Sequence, residues 1–160
     1  MKNNPKEKPV VILVAEDDED HFLLIEEAFK RLGQVTELRL VKEGEELMDY
    51  LLHTGEYQDP KAAPRPGLIL LDLNMPKKSG REVLGEIKSH ADLRRIPVVV
   101  LTTSWSQEDI AKSYELGANS FIRKPFGFNE WIDMARSLEH YWIKTVELPR
   151  QPVDANEKAE

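Results

Sequence analysis

The sequence predicts a doubly wound α/β domain, a parallel sheet of five strands with helices on both faces. Three observations carry that expectation. Five short aliphatic runs alternate with five stretches of helical period. The first and third runs are apolar on consecutive residues, as in strands covered on both faces. Four of the runs stop on residues that carry chemistry: an acidic cluster, Asp72, Thr102 and Lys124. In sheets of this kind sites form outside the carboxyl ends of the strands.

PVVILVA, residues 9–15, is the first strand, stopped by EDDED. Asp18 or Asp20 caps the helix that follows, in which Phe22, Ile25, Ala28, Phe29 and Leu32 recur at helical spacing and Gly33 supplies a left-handed stop. TELRLV is a second, weaker strand. Leu47, Met48, Leu51 and Leu52 mark a short helix ending near Gly55, and GEYQDPKAAPRP is a proline-rich loop without periodicity, a tolerated insertion.

LILLDLNMPKKSG, residues 68–80, is the third strand and its turn, and Val83, Leu84 and Ile87 mark the helix beginning after Ser79 and Gly80. IPVVVLTTS is the fourth strand. A capping box of Ser106 with Asp109 opens the next helix, which carries Ile110 and Tyr114 and ends at Gly117. NSFIRKP is the fifth strand, cut off by Pro125. The last helix lines up Phe128, Trp131, Ile132, Ala135, Leu138 and Trp142 on one stripe. The expected organisation is a flexible N-terminus over residues 1–8, one domain with a C-terminal extension over 9–149, and a disordered tail over 150–160.

Composition narrows the function. The 160 residues fit one core. The net charge of −7 has the wrong sign for gripping phosphate backbones, so nucleic acid is excluded as the main partner. No apolar run approaches the ~20 residues that span a bilayer, and MKNNPKEKP has no apolar signal core behind it, which leaves no membrane partner and makes the cytoplasm the expected location. The absence of cysteine excludes disulfides and thiolate metal sites. His21, His53, His90 and His140 show no ligand spacing and read as surface residues.

The edge where the strands end suggests phosphoryl transfer. Clustered carboxylates repel one another and resist ionising together unless a cation joins them. Magnesium suits an all-oxygen set, with manganese as the alternative. An aspartate beside a metal is a candidate nucleophile that forms an acyl phosphate, with Lys124 supplying a second positive charge and Thr102 a hydroxyl donor.

VAEDD, LLDLNMPKKSG, VVVLTTS and FIRKPF, in this order and at these spacings, resemble the receiver domain of two-component response regulators over about residues 9 to 142. The resemblance implies a flavodoxin-like (βα)5 fold with strand order 2-1-3-4-5. It implies that Asp72 accepts a phosphoryl group from a histidine kinase, and that Glu16 and Asp17 hold magnesium together with Asp72 and the backbone carbonyl of Asn74. Thr102 takes the place of the switch hydroxyl, Lys124 that of the conserved-type lysine, and Pro125 that of a proline often preceded by a cis bond. Two positions depart from the pattern. Phe121 stands where a switch tyrosine is frequent, so ring packing must do without a phenolic hydroxyl, and Thr103 is bulkier than the usual Ala or Ser and narrows access to the site. Asn74 and Ser104 flank the path expected for hydrolytic water.

The long loop before the third strand, GREVLGEIK, RIPVVVLTTS and WIKTVELP further resemble the stand-alone regulators paired with cyanobacterial and bacterial phytochromes. That likeness implies a light-regulated histidine kinase as donor and a homodimer built on the fourth helix, fifth strand and fifth helix. Tyr114, Phe121, Trp131, Tyr141 and Trp142 are the interface candidates, because interfaces favour such aromatic side chains. The rival readings are an aspartate-nucleophile phosphohydrolase, a phosphorylation-independent adaptor and a phosphate sink. Asn74 stands where the phosphohydrolase needs a second acid, and an amide transfers no proton.

Overall fold

The computed structural model describes residues 9–33 and 36–149. The expected flexible N-terminus and disordered tail lie outside these residues. Five parallel strands, β1 (Val10–Ala15), β2 (Thr36–Val41), β3 (Leu68–Leu71), β4 (Val98–Thr102) and β5 (Ser120–Arg123), form one sheet in the order β2-β1-β3-β4-β5. The helices are α1 (Glu19–Lys30), α2 (Gly44–Leu52), α3 (Gly80–Ser89), α4 (Gln107–Glu115) and α5 (Phe128–Leu138). Both the fold class and the strand order are those the sequence predicts.

The pleat divides the core into two layers. Leu13, Ala15, Ile69, Leu71, Val98 and Val100 face α2 and α3 and pack with Leu47, Leu51, Val83, Leu84 and Ile87. The residues between them, Ile12, Val14, Leu68, Leu70, Val99 and Leu101, face α1 and α5 and meet Ile25, Phe29, Trp131 and Leu138. Each buried Val, Leu, Ile or Phe side chain contributes roughly 1.5–3 kcal/mol by leaving water. Alternate residues of one strand thus serve opposite layers, which is why these strands read as unbroken apolar runs.

Caps set where the helices begin. Asp18 caps α1, its Oδ1 accepting from the backbone N–H of Asp20 (2.9 Å) and His21 (3.2 Å). Ser79 caps α3 by accepting from Glu82 N, and Ser106 caps α4 by accepting from Asp109 N. The carboxylate of Asp109 meets Ser104 Oγ and, at 2.5 Å, Arg81 Nη2, so this residue ties the start of α4 to the loop above β4 and to α3. Helix α4 is otherwise lightly packed, with Ser113 its one buried residue, whereas α3 buries Gly80, Val83, Leu84 and Ile87.

Three expectations need correction. The peptide bond between Lys124 and Pro125 is trans, the ground state even for X-Pro by about 0.5–1 kcal/mol, and not cis. Trp131 is 2% exposed and packed between the sheet and α1, so it is core and not available to an interface. The last helix does not stay regular through Trp142: α5 ends at Leu138 and the chain widens into a π-helical segment, Glu139–Thr145. The loop after α2 is tied to the domain by several hydrogen bonds. Tyr50 Oη donates to Pro64 O (2.8 Å), Arg39 Nη1 to Ala62 O (3.0 Å), and Arg65 pairs with Asp92 (2.8 Å), while His53 Nε2 lies 2.8 Å from Ala63 O.

Candidate functional site

Parallel register assembles the site. Ala15 is paired with Leu71, so the next residues, Glu16 and Asp72, emerge side by side, with Asp72 N donating to Ala15 O at 3.0 Å. Thr102 is paired with Arg123, and Lys124 N donates to Thr102 O at 2.8 Å, which brings the lysine over the same edge.

Asp72 is 5% exposed, and both of its carboxylate oxygens are hydrogen-bonded. Its Oδ1 accepts from Thr102 Oγ1 and from the backbone N–H of Asn74, both at 3.0 Å, and its Oδ2 accepts from Lys124 Nζ at 2.8 Å. The Lys124 ammonium also donates to Glu16 Oε2 at 2.7 Å and lies 2.9 Å from His21 Nδ1. Asn74 Nδ2 donates to Thr102 Oγ1 (3.4 Å), and Ser104 N reaches the same oxygen (3.5 Å). Asp17 is exposed at the rim, and Glu16, Asp17 and Asp72 each place a carboxylate oxygen within 4.8 Å of the other two.

A divalent cation fits this donor set. Three carboxylates converge, one ammonium contacts two of them, and the negative excess faces outward through Asp17. The ligands are all oxygen, which suits a hard ion. Burial pushes the Glu16 carboxyl up to about 7; the hydrogen bond from Lys124 opposes this and the charge of Asp72 adds to it. Burial works against the Lys124 ammonium, yet its hydrogen bonds to Asp72 and Glu16 hold its pKa above the ordinary lysine value.

The Glu16 shift has a testable sign. Between its ordinary value of 4.5 and about 7 the folded state holds a proton that the unfolded state has lost. Metal-free stability should therefore fall as pH rises through this window, by at most roughly 3 kcal/mol. Urea unfolding in EDTA at pH 5 and pH 8 measures it, and Glu16→Gln should flatten the profile; a wild-type curve that is level or rising there would contradict the assignment.

Gly80 fixes the position of the acceptor. A Cβ on it would stand 2.3 Å from Asp72 O and 2.6 Å from Leu73 Cα, and its N–H donates to Leu73 O at 3.1 Å. Only glycine lets the start of α3 lie on this backbone.

The other expected residues fall into separate places. Thr103 is exposed and, with His21, Leu24, Arg123, Lys124, Pro125, Phe126 and Trp131, lines an open hollow of about 280 Å³ beside the site. Phe121 is half-buried against the α2/α3 layer, and its N–H donates to Tyr114 Oη at 3.2 Å, Tyr114 being 49% exposed. Tyr141, 53% exposed, and Trp142 meet edge to face at 5.1 Å on the π-helical segment, away from that pair in sequence and element. Sequence reasoning missed His21, read as a surface residue; its one signal was its place in the first turn of α1, directly after the acidic cluster.

The fold and this acidic edge define a class. The chain belongs to the family described as response regulator receiver domain, which it matches over residues 12–136. It is 45% identical to the response regulator Rcp1 of Synechocystis sp. over 148 residues, covering 92% of this chain and 97% of that protein. The crystal structure of the Mn(2+)-bound form of Rcp1 superposes with a TM-score of 0.81 over 89% of this chain and 100% of that one. The phosphorylated cyanobacterial phytochrome response regulator RcpA, 43% identical, superposes at 0.83 over 89% and 100%. Among the described residues no helix is long and apolar enough to cross a membrane.

Proposed function

We propose that Asp72 accepts a phosphoryl group from a phytochrome-type sensor histidine kinase in the cytoplasm, and that the chain signals by protein contact. The observation that carries this reading is the buried Asp72 carboxylate, held by Thr102, Asn74 N and Lys124 beside two further acids. The likeness to RcpA, a cyanobacterial phytochrome response regulator, supports the kinase class.

An Asp72 oxygen attacks phosphorus, the phosphorus–nitrogen bond to the donor imidazole breaks, and the imidazole keeps the electron pair and takes a proton from solvent. Glu16, Asp17, Asp72 and the Asn74 carbonyl would hold magnesium or manganese, which when bound supplies positive charge to the phosphoryl oxygens. Lys124, already on Asp72, moves its ammonium to a phosphoryl oxygen. Thr102 follows by turning its hydroxyl from Asp72 to the new group, and Phe121 packs further inward, which shifts an equilibrium between two surface states. Asn74 and Ser104 flank the approach of the water that later hydrolyses the acyl phosphate, and Thr103 narrows it. The output surface is α4, β5 and α5, with Tyr114 and Phe121 at its centre and Tyr141 and Trp142 on the extension, and a second copy of the chain is its partner.

The test is intact mass after incubation with acetyl phosphate or a phytochrome kinase, with magnesium and with EDTA, followed by sedimentation. One phosphoryl mass gained with magnesium and a shift in the monomer–dimer balance are expected. No gain with any donor would overturn the acceptor, and a monomer in both states at micromolar concentration would overturn the dimer.

A further inference from the structure

His21 occupies a position that the acidic cluster does not explain. An ammonium has three N–H donors and no acceptor. Those of Lys124 point at Glu16 Oε2 (2.7 Å), Asp72 Oδ2 (2.8 Å) and His21 Nδ1 (2.9 Å). Because lysine only donates, Nδ1 must accept, and the imidazole carries its hydrogen on Nε2.

The ring is held where it stands. Its own backbone N–H is bound by the Asp18 cap at 3.2 Å, and the buried Trp131 ring lies 6.1 Å away, centroid to centroid. Asp18 Oδ2 at 3.6 Å and Glu16 Oε1 at 3.9 Å are the charged groups that face Nδ1 besides Lys124. The helix cap thus sets the backbone that carries this third acceptor, and the Trp131 ring borders one side of it.

Its lack of negative charge matters. A carboxylate there would be a fourth acid around a site that must admit a phosphoryl group, and would repel it. An imidazole satisfies the third N–H without adding charge. It would also leave Lys124 an acceptor were Glu16 to hold a metal.

We propose that His21 is the positioning residue of Lys124, holding the ammonium on the Asp72 side of the site so that it is already aimed when the phosphoryl group arrives. This rests on the reading of Asp72 as phosphoacceptor. His21 does not touch the reacting atoms and acts through the lysine.

The test compares wild type, His21→Leu, which keeps bulk but removes the acceptor, and His21→Asn, whose Oδ1 replaces Nδ1. The readouts are the phosphorylation rate at saturating acetyl phosphate and magnesium, and the magnesium Kd by calorimetry. His21→Leu should lose about tenfold in rate with Kd changed by less than about twofold, and His21→Asn should recover most of the rate. A wild-type rate in His21→Leu, an equal loss in both variants, or a loss appearing only in the donor KM would overturn the proposal.

A second readout needs no phosphoryl donor. NMR detection of the Lys124 ammonium should show slowly exchanging protons in wild type and His21→Asn but not in His21→Leu. If wild type takes no phosphoryl group, the acceptor reading fails by itself, and this spectrum still decides for or against the contact; equal protection in all three chains decides against it.

Discussion

Asp72→Asn is expected to abolish phosphoryl incorporation while the protein stays folded. Asparagine has the shape of aspartate, and its Oδ1 keeps the hydrogen bonds from Thr102 Oγ1 and Asn74 N. Its amide nitrogen then faces Lys124 Nζ where an oxygen stood at 2.8 Å, two donors meeting, so the ammonium turns toward Glu16 and His21. That loss is balanced in part by removing the Asp72 charge that burdens Glu16, and the net change in metal-free stability should stay within about 1–2 kcal/mol. The amide is no nucleophile for phosphorus. Intact mass with acetyl phosphate and magnesium reads the outcome, with unfolding in urea as the control. A phosphoryl gain persisting in the variant would place the acceptor elsewhere, and partner binding indifferent to the substitution would favour the adaptor reading.

Gly80→Ala should be strongly damaging for so small a substitution. The added methyl would overlap main-chain atoms at 2.3 and 2.6 Å, and main chain has no rotamer to yield. Either the start of α3 lifts or the Asp72–Leu73 backbone shifts, and both disturb the hydrogen bond from Gly80 N to Leu73 O. A loss of about 2–4 kcal/mol is expected, with phosphorylation slowed more than about tenfold because Asp72 is displaced. Gly85→Ala is the matched control in the same helix: its Cβ meets only Leu116 Cδ2, at 3.7 Å, and alanine should stabilise by about 0.5–1 kcal/mol. Equal behaviour of the two variants in urea would refute the close-approach argument.

The strands and the acidic edge were legible because both arise from local pattern. Leu68–Leu71 is apolar on every residue since it serves two layers, and Asp72 follows at the point where cover ends. What was not legible depends on contacts between elements. Trp131 reads as surplus aromatic area on a stripe, and only the packing of α5 on α1 makes it core. His21 looks like a solvated residue until Lys124, 103 positions later in the chain, arrives beside it. The glycine at 80 reads as a helix start, while its necessity lies in the backbone of the preceding turn. The bond before Pro125 and the widening at Glu139 involve small differences between backbone states, which residue type alone does not decide.

Helix α4 has a further consequence. It buries one residue and is fastened at its first turn through Asp109, whereas α3, of similar length, buries four. Its amides should exchange with deuterium well before those of α3, since little apolar surface resists its local opening. Little apolar surface therefore opposes its displacement, and under the proposed phosphorylation of Asp72 a single new bond at the strand edge would be enough to alter its docking.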